Sequence, residues 1–291
     1  MKKSKKKLTR FILDFGRKYL PSKLFALILF ARCFKKFKKE VNKEKSTIKF
    51  SKNLDEINNF EFKLTSQNNE DGIIDYIFSK IPNNKTFVEI GFGYYEFNSL
   101  NLIKNGWKGK LVDIDKDECL VLKQLLNFFF PKSIIKILNQ KVLKENINEI
   151  VHSNKINETI DFFSLDIDGN DYWVLKELDT TNINVICCEY NNYLGNNVKK
   201  TIPYNPEHSW KNNGCFGASL HAICQILIDK GFNLVAVESS GTNAFFVKNK
   251  FAINFEVLSP SKSWKAVDRH NTDQQIEFIR DSIERFNFIE L

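Results

Sequence analysis

The feature that most constrains this chain is a series of short, almost wholly apolar segments between residues 87 and 190. They are FVEI (87–90), KLVDI (110–114), IIKIL (134–138), IDFFSLDI (160–167) and NVICCEY (184–190). A strand that is apolar on both sides needs cover on both faces, which is the situation of a parallel sheet sandwiched between helices. Helical spacing is read at 117–129, stopped by Pro131, and again at 171–178. An apolar helix is expected at 73–81, ended by Pro82 and Asn83–Asn84. Residues 191–215 are polar, contain Pro203 and Pro206, and read as a long loop. Loops of that length inside a compact domain commonly carry function. A helix at 217–230 ends at Gly231. FNLVAV (232–237) and NAFFVK (243–248), joined by Ser239-Ser240-Gly241, then form a β-hairpin signal. The expectation is an α/β fold with a seven-stranded, mostly parallel sheet, an antiparallel C-terminal hairpin and helices on both faces. Apolar residues at 276, 279, 283 and 286 give 273–287 a helical spacing, and it is expected to pack on the body.

Charge divides the chain. Residues 1–50 hold 17 Lys/Arg and 3 Asp/Glu, a net +14, while the remainder holds 26 and 32, a net −6. A basic arm on an acidic body argues against a broadly basic nucleic-acid-binding domain. The longest uncharged apolar run of the arm, Leu24 to Ala31, is far short of the roughly 20 residues that span a bilayer. The arm reads either as a basic amphipathic stretch on an anionic membrane surface or as a helix packed on the body. Residues 35–59 are expected as a linker with loose helical character. The domain expectation is a basic arm (1–50), a main domain (51–250) and a C-terminal helical extension (251–291). Six cysteines with no CxxC pair make a zinc ribbon improbable and suggest a reducing, cytoplasmic setting, with attachment at the inner face of the membrane as an option.

The first strand runs into VEIGFGYYEF (88–97). Gly91 and Gly93 permit a sharp turn and close approach of backbone to a ligand. The third glycine of the dinucleotide fingerprint is missing, and so is GxxxxGK. Asp113 ends the next strand, twenty residues after Gly93, where a carboxylate can accept from both hydroxyls of a ribose. Asp115 is its rival. Glu89 at the mouth of the first strand would repel a pyrophosphate but favour a sulfonium and an ammonium. S-adenosylmethionine is therefore the expected cofactor, with a nicotinamide dinucleotide as the competing reading.

Three longer segments carry a resemblance. FVEIGFGYYEFNSLNLIKNGWKGKLVDID (87–115), DFFSLDIDGNDYWVL (161–175) and ICCEYN (186–191) resemble the FkbM-type S-adenosylmethionine-dependent methyltransferases. SQNNEDG (66–72), CFGASLHAI (215–223) and NAFFV (243–247) also fit, so the similarity covers about 66–249. It implies a Rossmann-like class I methyltransferase fold and O-methylation of a sugar, glycan or other small hydroxylated metabolite. It implies that Glu89, Gly91 and Gly93 line the methionyl side and Asp113 the ribose. Asn98 and Ser99 match a polar pair that opens the following helix, and Gln67 and Asp71 match a polar motif that closes over the cofactor. The aromatic pair Tyr94–Tyr95 departs from the smaller or acidic residues expected there.

Ligands of open α/β sheets bind beyond the carboxyl ends of the strands. Two such ends, Asp166-Ile167-Asp168-Gly169-Asn170-Asp171 and Glu189-Tyr190-Asn191, are expected side by side. A hydroxyl is a poor nucleophile near neutral pH, so its proton must be removed. Asp168, Glu189 or His208 is the expected base. Alternatively Asp166, Asp168 and Glu189, with Asn191, hold a divalent metal that acidifies the hydroxyl. His221, inside a helix, is expected to be structural. No NPPY or DPPY follows the fourth strand, which makes nucleic acid an unlikely acceptor. Two alternatives stay open: a nucleic-acid methyltransferase anchored by the basic arm, and a non-catalytic membrane-associated module of the same fold.

Overall fold

The structure, a computed structural model, describes residues 22–43, 56–94, 96–153, 159–211, 213–266 and 273–291. Helix α1 (Ser22–Val41) is followed by a 3-10 turn at Glu56–Phe60 and by α2 (Glu70–Lys80). Strands β1 (Thr86–Ile90), β2 (Lys108–Asp113) and β3 (Ile135–Asn139) then alternate with α3 (Leu100–Lys104) and α4 (Lys116–Phe129). After α5 (Ile147–His152) come β4 (Ile160–Leu165), α6 (Asp171–Glu177) and β5 (Ile183–Glu189). The chain continues through β6 (Lys200–Thr201), α7 (Leu220–Asp229), β7 (Phe232–Val237) and β8 (Asn243–Lys248). It ends with α8 (Pro260–Ser263), α9 (Asp273–Arg285) and β9 (Ile289–Glu290).

The main sheet has the order β3-β2-β1-β4-β5-β8-β7. Strands β1 to β5 are parallel, and β8 inserts antiparallel between β5 and β7. Counted within the sheet alone, this is 3-2-1-4-5-7-6, the strand order of the Rossmann-like class I methyltransferase fold, as expected. The reversal of order on either side of β1 opens a crevice at the carboxyl ends of β1 and β4, where such sheets bind ligands.

Alternation along the strands separates two cores. Val88, Phe163, Ile186 and Phe246 face one core with α5, α6 and α7. Phe87, Phe162, Val185 and Phe245 face the other with α1 to α4. The apolar runs of β1, β4 and β5 are therefore two interleaved stripes buried on both faces, whereas β3 at the sheet edge is only half-buried and Ile134 and Ile114 are exposed.

Four local expectations change. Helix α1 runs through to Val41, into the segment expected as linker, and it packs on the body. Cys33 and Phe37 are buried, and the Phe34 and Phe37 rings meet Phe129 at 5.2 and 5.4 Å between centroids. Its apolar stripe is consumed by α4. The fourth strand stops at Leu165, because residues 166–170 turn across the sheet edge. The short helix α5 was not anticipated. The long loop contains β6, which pairs with β9 and so ties the C-terminal end back to the body. Ile279 and Ile283 of α9 lie against Gly214, so this helix packs on the body through a narrow contact, with none of its residues buried. Among the described residues no helix is long and apolar enough to cross a membrane. All six cysteines are free and buried. Residues 1–21 and 44–50 of the expected arm lie outside the described residues.

Candidate active site

The site grows from the turn after β1. Gly91 has φ +78°, and a Cβ there would fall 1.5 Å from the Asp166 carbonyl oxygen. Its N–H donates to Val112 O at 2.9 Å, and the Asp166 N–H donates to Ile90 O at 2.9 Å. Only glycine lets the ends of β1, β2 and β4 close on one another in this way. Gly93 bridges to Glu96 across the turn. Together they border an open cleft of about 1010 Å³ at the carboxyl edge of the sheet.

Glu89 lies at the inner end of that cleft and is buried. It accepts from the N–H groups of Asn98 and Ser99, both at 2.8 Å, and from the Ser99 hydroxyl. Burial pushes its carboxyl up to about 7, against the pull of those hydrogen bonds. Its observed work is to hold the start of α3 against β1. Asn98 lines the cleft, and its amide donates to Ser164 Oγ at 3.0 Å. Ser99 is buried behind it. Asp71 is also buried: it accepts from the N–H groups of Leu64, Thr65 and Ser66 at 2.7–2.8 Å and from both hydroxyls of that turn. It does not line the cleft. Gln67, on the turn that Asp71 shapes, does.

Asp113 ends β2 with its carboxylate on the cleft. It accepts from Phe92 N at 3.3 Å and Asp115 N at 2.6 Å, and burial raises its pKa. Asp115 is spent as the N-cap of α4, accepting from Asp117 N at 2.9 Å and Glu118 N at 3.1 Å. Of the two, Asp113 lines the cleft and Asp115 does not. Apolar walls come from Ile114 and Val142, which no motif signalled. The departure at Tyr94 also gains a reason. Its ring packs on the core beneath α1, and its hydroxyl bonds the Cys33 thiol, joining the glycine turn to α1. Tyr95 lies outside the described residues.

At the other end, Asp166, Asp168 and Glu189 each bring one oxygen within 4.8 Å of the others. Burial drives the Asp166 carboxyl well above the usual range, and the neighbouring Asp168 and Asp171 charges push it further. Asp166 and Glu189 share a hydrogen bond, which opposes that rise. Asp168 has φ +53°, a strained position that Asp tolerates better than most residues. Asp171 holds this turn open by accepting from Ile167 N at 3.0 Å and Gly169 N at 2.9 Å. Asn191 donates to the carbonyls of Gly214 (2.7 Å) and Phe216 (2.8 Å), so it anchors the long loop and does not line the cleft. His221 hydrogen-bonds Ser261 away from the cleft, in keeping with a structural role.

The long loop returns over the cleft as a strap, residues 203–211. Asn170 ties it down: its amide donates to Asn205 O at 2.7 Å and its carbonyl accepts from Asn205 N at 3.2 Å. Lys141 and Glu207 pair at 3.0 Å across the opening. The His208 ring packs against Gly169 through its Cδ2 corner, 2.6 Å from where a Cβ would fall. The ring is hydrogen-bonded to the Asp168 carbonyl, and burial lowers its pKa. Its Nε2 is buried with no hydrogen-bond partner, and so is Nε1 of Trp210. Both residues line the cleft. Trp210 escaped the sequence reading, although an aromatic beside His208 in YNPEHSW was the available signal.

The lining is one-sided in charge. It contains Glu89, Glu96, Asp113, Glu118, Asp166, Asp168 and Glu207 against a single lysine, Lys141. Burial moves Glu89 and Asp166 toward the neutral form, and the excess of the remaining carboxylates over one lysine still suits a cationic ligand better than an anionic one.

No family model matches the sequence, and no curated protein matches it. Solved structures with similar backbones include magnesium protoporphyrin IX methyltransferase from Synechocystis PCC 6803 with bound SAM. That match has 12% identity, covers 62% of this chain and 77% of that one, and has a TM-score of 0.40. An S-adenosylmethionine-dependent methyltransferase from Clostridium acetobutylicum ATCC 824 has 12% identity, 62% and 90% coverage, and a TM-score of 0.38. A ribosomal protein L11 methylase from Lactobacillus delbrueckii subsp. bulgaricus has 12% identity, 60% and 76% coverage, and a TM-score of 0.37. Similarity at this level says nothing of activity, and the assignment of fold rests on the strand order of this chain's own sheet.

Proposed function

We propose that this chain is an S-adenosylmethionine-dependent methyltransferase of the FkbM type, acting on an oxygen of a sugar, glycan or other small hydroxylated molecule. The observation that carries this reading is the carboxylate-lined cleft at the switch point of the sheet, with Asp113 at the end of β2 beside the Gly91 turn. The cofactor would supply an electrophilic methyl group on a sulfonium. Asp113 is suited to its ribose hydroxyls. Gln67, Gly93 and Asn98 border the methionyl side, with Glu89 behind them.

His208 is the base this geometry favours. Burial lowers its pKa, so the neutral ring is favoured; one ring nitrogen is hydrogen-bonded to the Asp168 carbonyl, Nε2 has no hydrogen-bond partner, and the residue lines the cleft. With S-adenosylmethionine bound, the acceptor oxygen would take the methyl group while sulfur keeps the C–S pair, and His208 would take the hydroxyl proton, giving a methyl ether and S-adenosylhomocysteine. Asp168 and Glu189 lie on the same side. The close approach of Asp166, Asp168 and Glu189 supports a second route, in which these carboxylates would hold a hard divalent cation that would acidify the hydroxyl. Chelation distinguishes the routes: turnover that survives it belongs to His208.

Calorimetry with S-adenosylmethionine tests the whole reading, and an absence of binding heat overturns it. Transfer of labelled methyl to a component of cell extract, identified by mass spectrometry, then names the acceptor. For α1 we propose contact with an anionic lipid surface. Arg32, Lys35, Lys36, Lys38 and Lys39 are exposed on its outward side while Cys33 and Phe37 face the body.

A further inference from the structure

Two residues of the cleft wall come from opposite ends of the domain: Gln67, on the turn before α2, and Asn243, the first residue of β8. Glu70 joins these two segments and does not itself line the cleft. It lies in the first turn of α2 and is fully buried. Its Oε1 accepts from Asn243 Nδ2 at 2.8 Å and from Asn68 Nδ2 at 3.1 Å, and its Oε2 accepts from Asn68 N at 2.7 Å. Burial and the neighbouring Glu238 charge raise its pKa. A buried carboxyl without such donors is costly, so these bonds hold Glu70 and its partners in one geometry. The adjacent acid has a different task. Asp71 accepts from Leu64, Thr65 and Ser66, all within seven positions, and so shapes the turn from inside. Glu70 reaches 173 positions along the chain to Asn243, and so fixes where the turn stands against the sheet. Asn243 is in register with Glu189 of β5, one of the acids proposed for the acceptor side. Glu61 is a second buried carboxyl of the same region. It accepts from Asn58, Asn69 and Ser239, none of which lines the cleft.

We propose that Glu70 is a positioning residue of the cofactor site: by gripping Asn243 of β8 and Asn68 beside Gln67, it ties the Gln67 turn to the sheet and so fixes Gln67 in the cleft wall. The inference rests on the methyltransferase reading and deepens it. Glu70 touches no ligand and acts only through the two segments it joins. A binding group on a turn is held as well as the bonds behind it allow. Here the bond behind the turn runs to a different element, so cutting it frees the turn as a unit, whereas the bonds of Asp71 preserve its internal shape.

The test uses the full chain and two readouts, calorimetric affinity for S-adenosylhomocysteine and hydrogen exchange of residues 66–70 in the ligand-free protein. Glu70→Ala is expected to weaken binding about tenfold or more, the equivalent of one hydrogen bond to a charged group. Glu70→Gln is expected to stay within about threefold, because its amide can accept from Asn68 N and donate to Asn243 once that amide turns over. Glu61→Ala supplies the comparison: it should lower the melting temperature and leave the affinity unchanged. Asn243→Ala cuts the same tie from the sheet side and should speed exchange of 66–70 at least about fivefold. An asparagine that served only as a ligand contact would leave that exchange as it is. This last arm stands even where Glu70→Ala does not fold. Unchanged affinity in folded Glu70→Ala overturns the inference, as does an equal loss in Glu61→Ala. So does a loss in Glu70→Gln as large as in Glu70→Ala, which would make charge and not the tie the cause, or unchanged exchange in Asn243→Ala. Failure of the unmutated protein to bind S-adenosylhomocysteine is a separate result: it removes the methyltransferase reading, and the exchange measurement still judges the tie.

Discussion

Asp113, Glu89 and His208 are each buried to a different end, and each can be tested by that difference. Asp113 keeps lone pairs toward the cleft after accepting from two backbone N–H groups. Asp113→Ala should weaken S-adenosylmethionine by about tenfold or more in calorimetry, since hydrogen bonds to a charged acceptor contribute roughly 1.5–3 kcal/mol. Glu89 has a folded-state pKa raised to about 7, by burial first. A raised carboxylate contributes stability that is fully present below its unfolded pKa and is lost as pH rises through its folded one. Asp113, Asp166 and Asp171 are raised in the same direction. The melting temperature of the ligand-free protein should therefore fall between about pH 5 and pH 8, and Glu89→Gln should flatten that slope. An equally steep slope in the variant would show that the buried charge belongs elsewhere. His208→Gln should retain cofactor affinity and lose roughly 10²–10⁴ in turnover, the range for a general base. In the unmutated enzyme, turnover should rise with pH through a midpoint below the ordinary histidine value and be flat above it, because burial lowers that pKa. Asp168→Asn and Glu189→Gln are the companion variants, and a larger loss from either than from His208→Gln would move the base to the carboxylates.

The elements that matter are a turn and a strap. In the turn after β1, Gly91 combines a left-handed backbone with a carbonyl 1.5 Å from where a Cβ would sit. Gly91→Ala should cost more than about 3 kcal/mol or abolish folding, read by denaturant unfolding. The strap is held by bonds of unequal worth. Lys141–Glu207 is an exposed ion pair, and such pairs contribute under about 1 kcal/mol. Glu207→Ala should accelerate cofactor release by no more than about fivefold in stopped-flow measurements, with an effect that vanishes in high salt. The Asn170–Asn205 pair is partly buried and double, so Asn170→Ala should release the strap more completely and be indifferent to salt. The strap read from the sequence only as a polar segment with two prolines. The hydrogen bonds that hold it to the body reach residues 35 to 66 positions away, and nothing in local composition encodes a partner at that distance.

At the scale of the molecule, α1 is part of the domain's second core. Phe37 is fully buried there and contacts Phe129, so Phe37→Ala should cost about 3–5 kcal/mol, measured by chemical denaturation. A cost below about 1 kcal/mol would mean that the helix does not stay docked in solution. Because Cys33 of α1 bonds Tyr94 at the glycine turn, loss of α1 is expected to weaken cofactor binding as well. Replacing Lys35, Lys36, Lys38 and Lys39 by Glu should instead reduce co-sedimentation with phosphatidylserine vesicles and leave stability and cofactor affinity unchanged. Equal sedimentation would remove the membrane proposal. The division between what was readable and what was not follows from the range of the forces involved. Apolar runs, helix stops and the Ser239–Gly241 turn act within a few residues, so the sequence by itself determined the seven strands, most of the helices between them, though not α5, and the site of the Gly91 turn. Which polar groups point into the cleft depended on contacts between segments far apart in the chain. Asp71, Asp115 and Asn191 match a binding pattern as well as Asp113 does. Only the tertiary structure decided that they are consumed by backbone N–H groups or carbonyls of neighbouring turns. The folding of the strap over Gly169 is what brought His208 and Trp210 to the wall of the cleft.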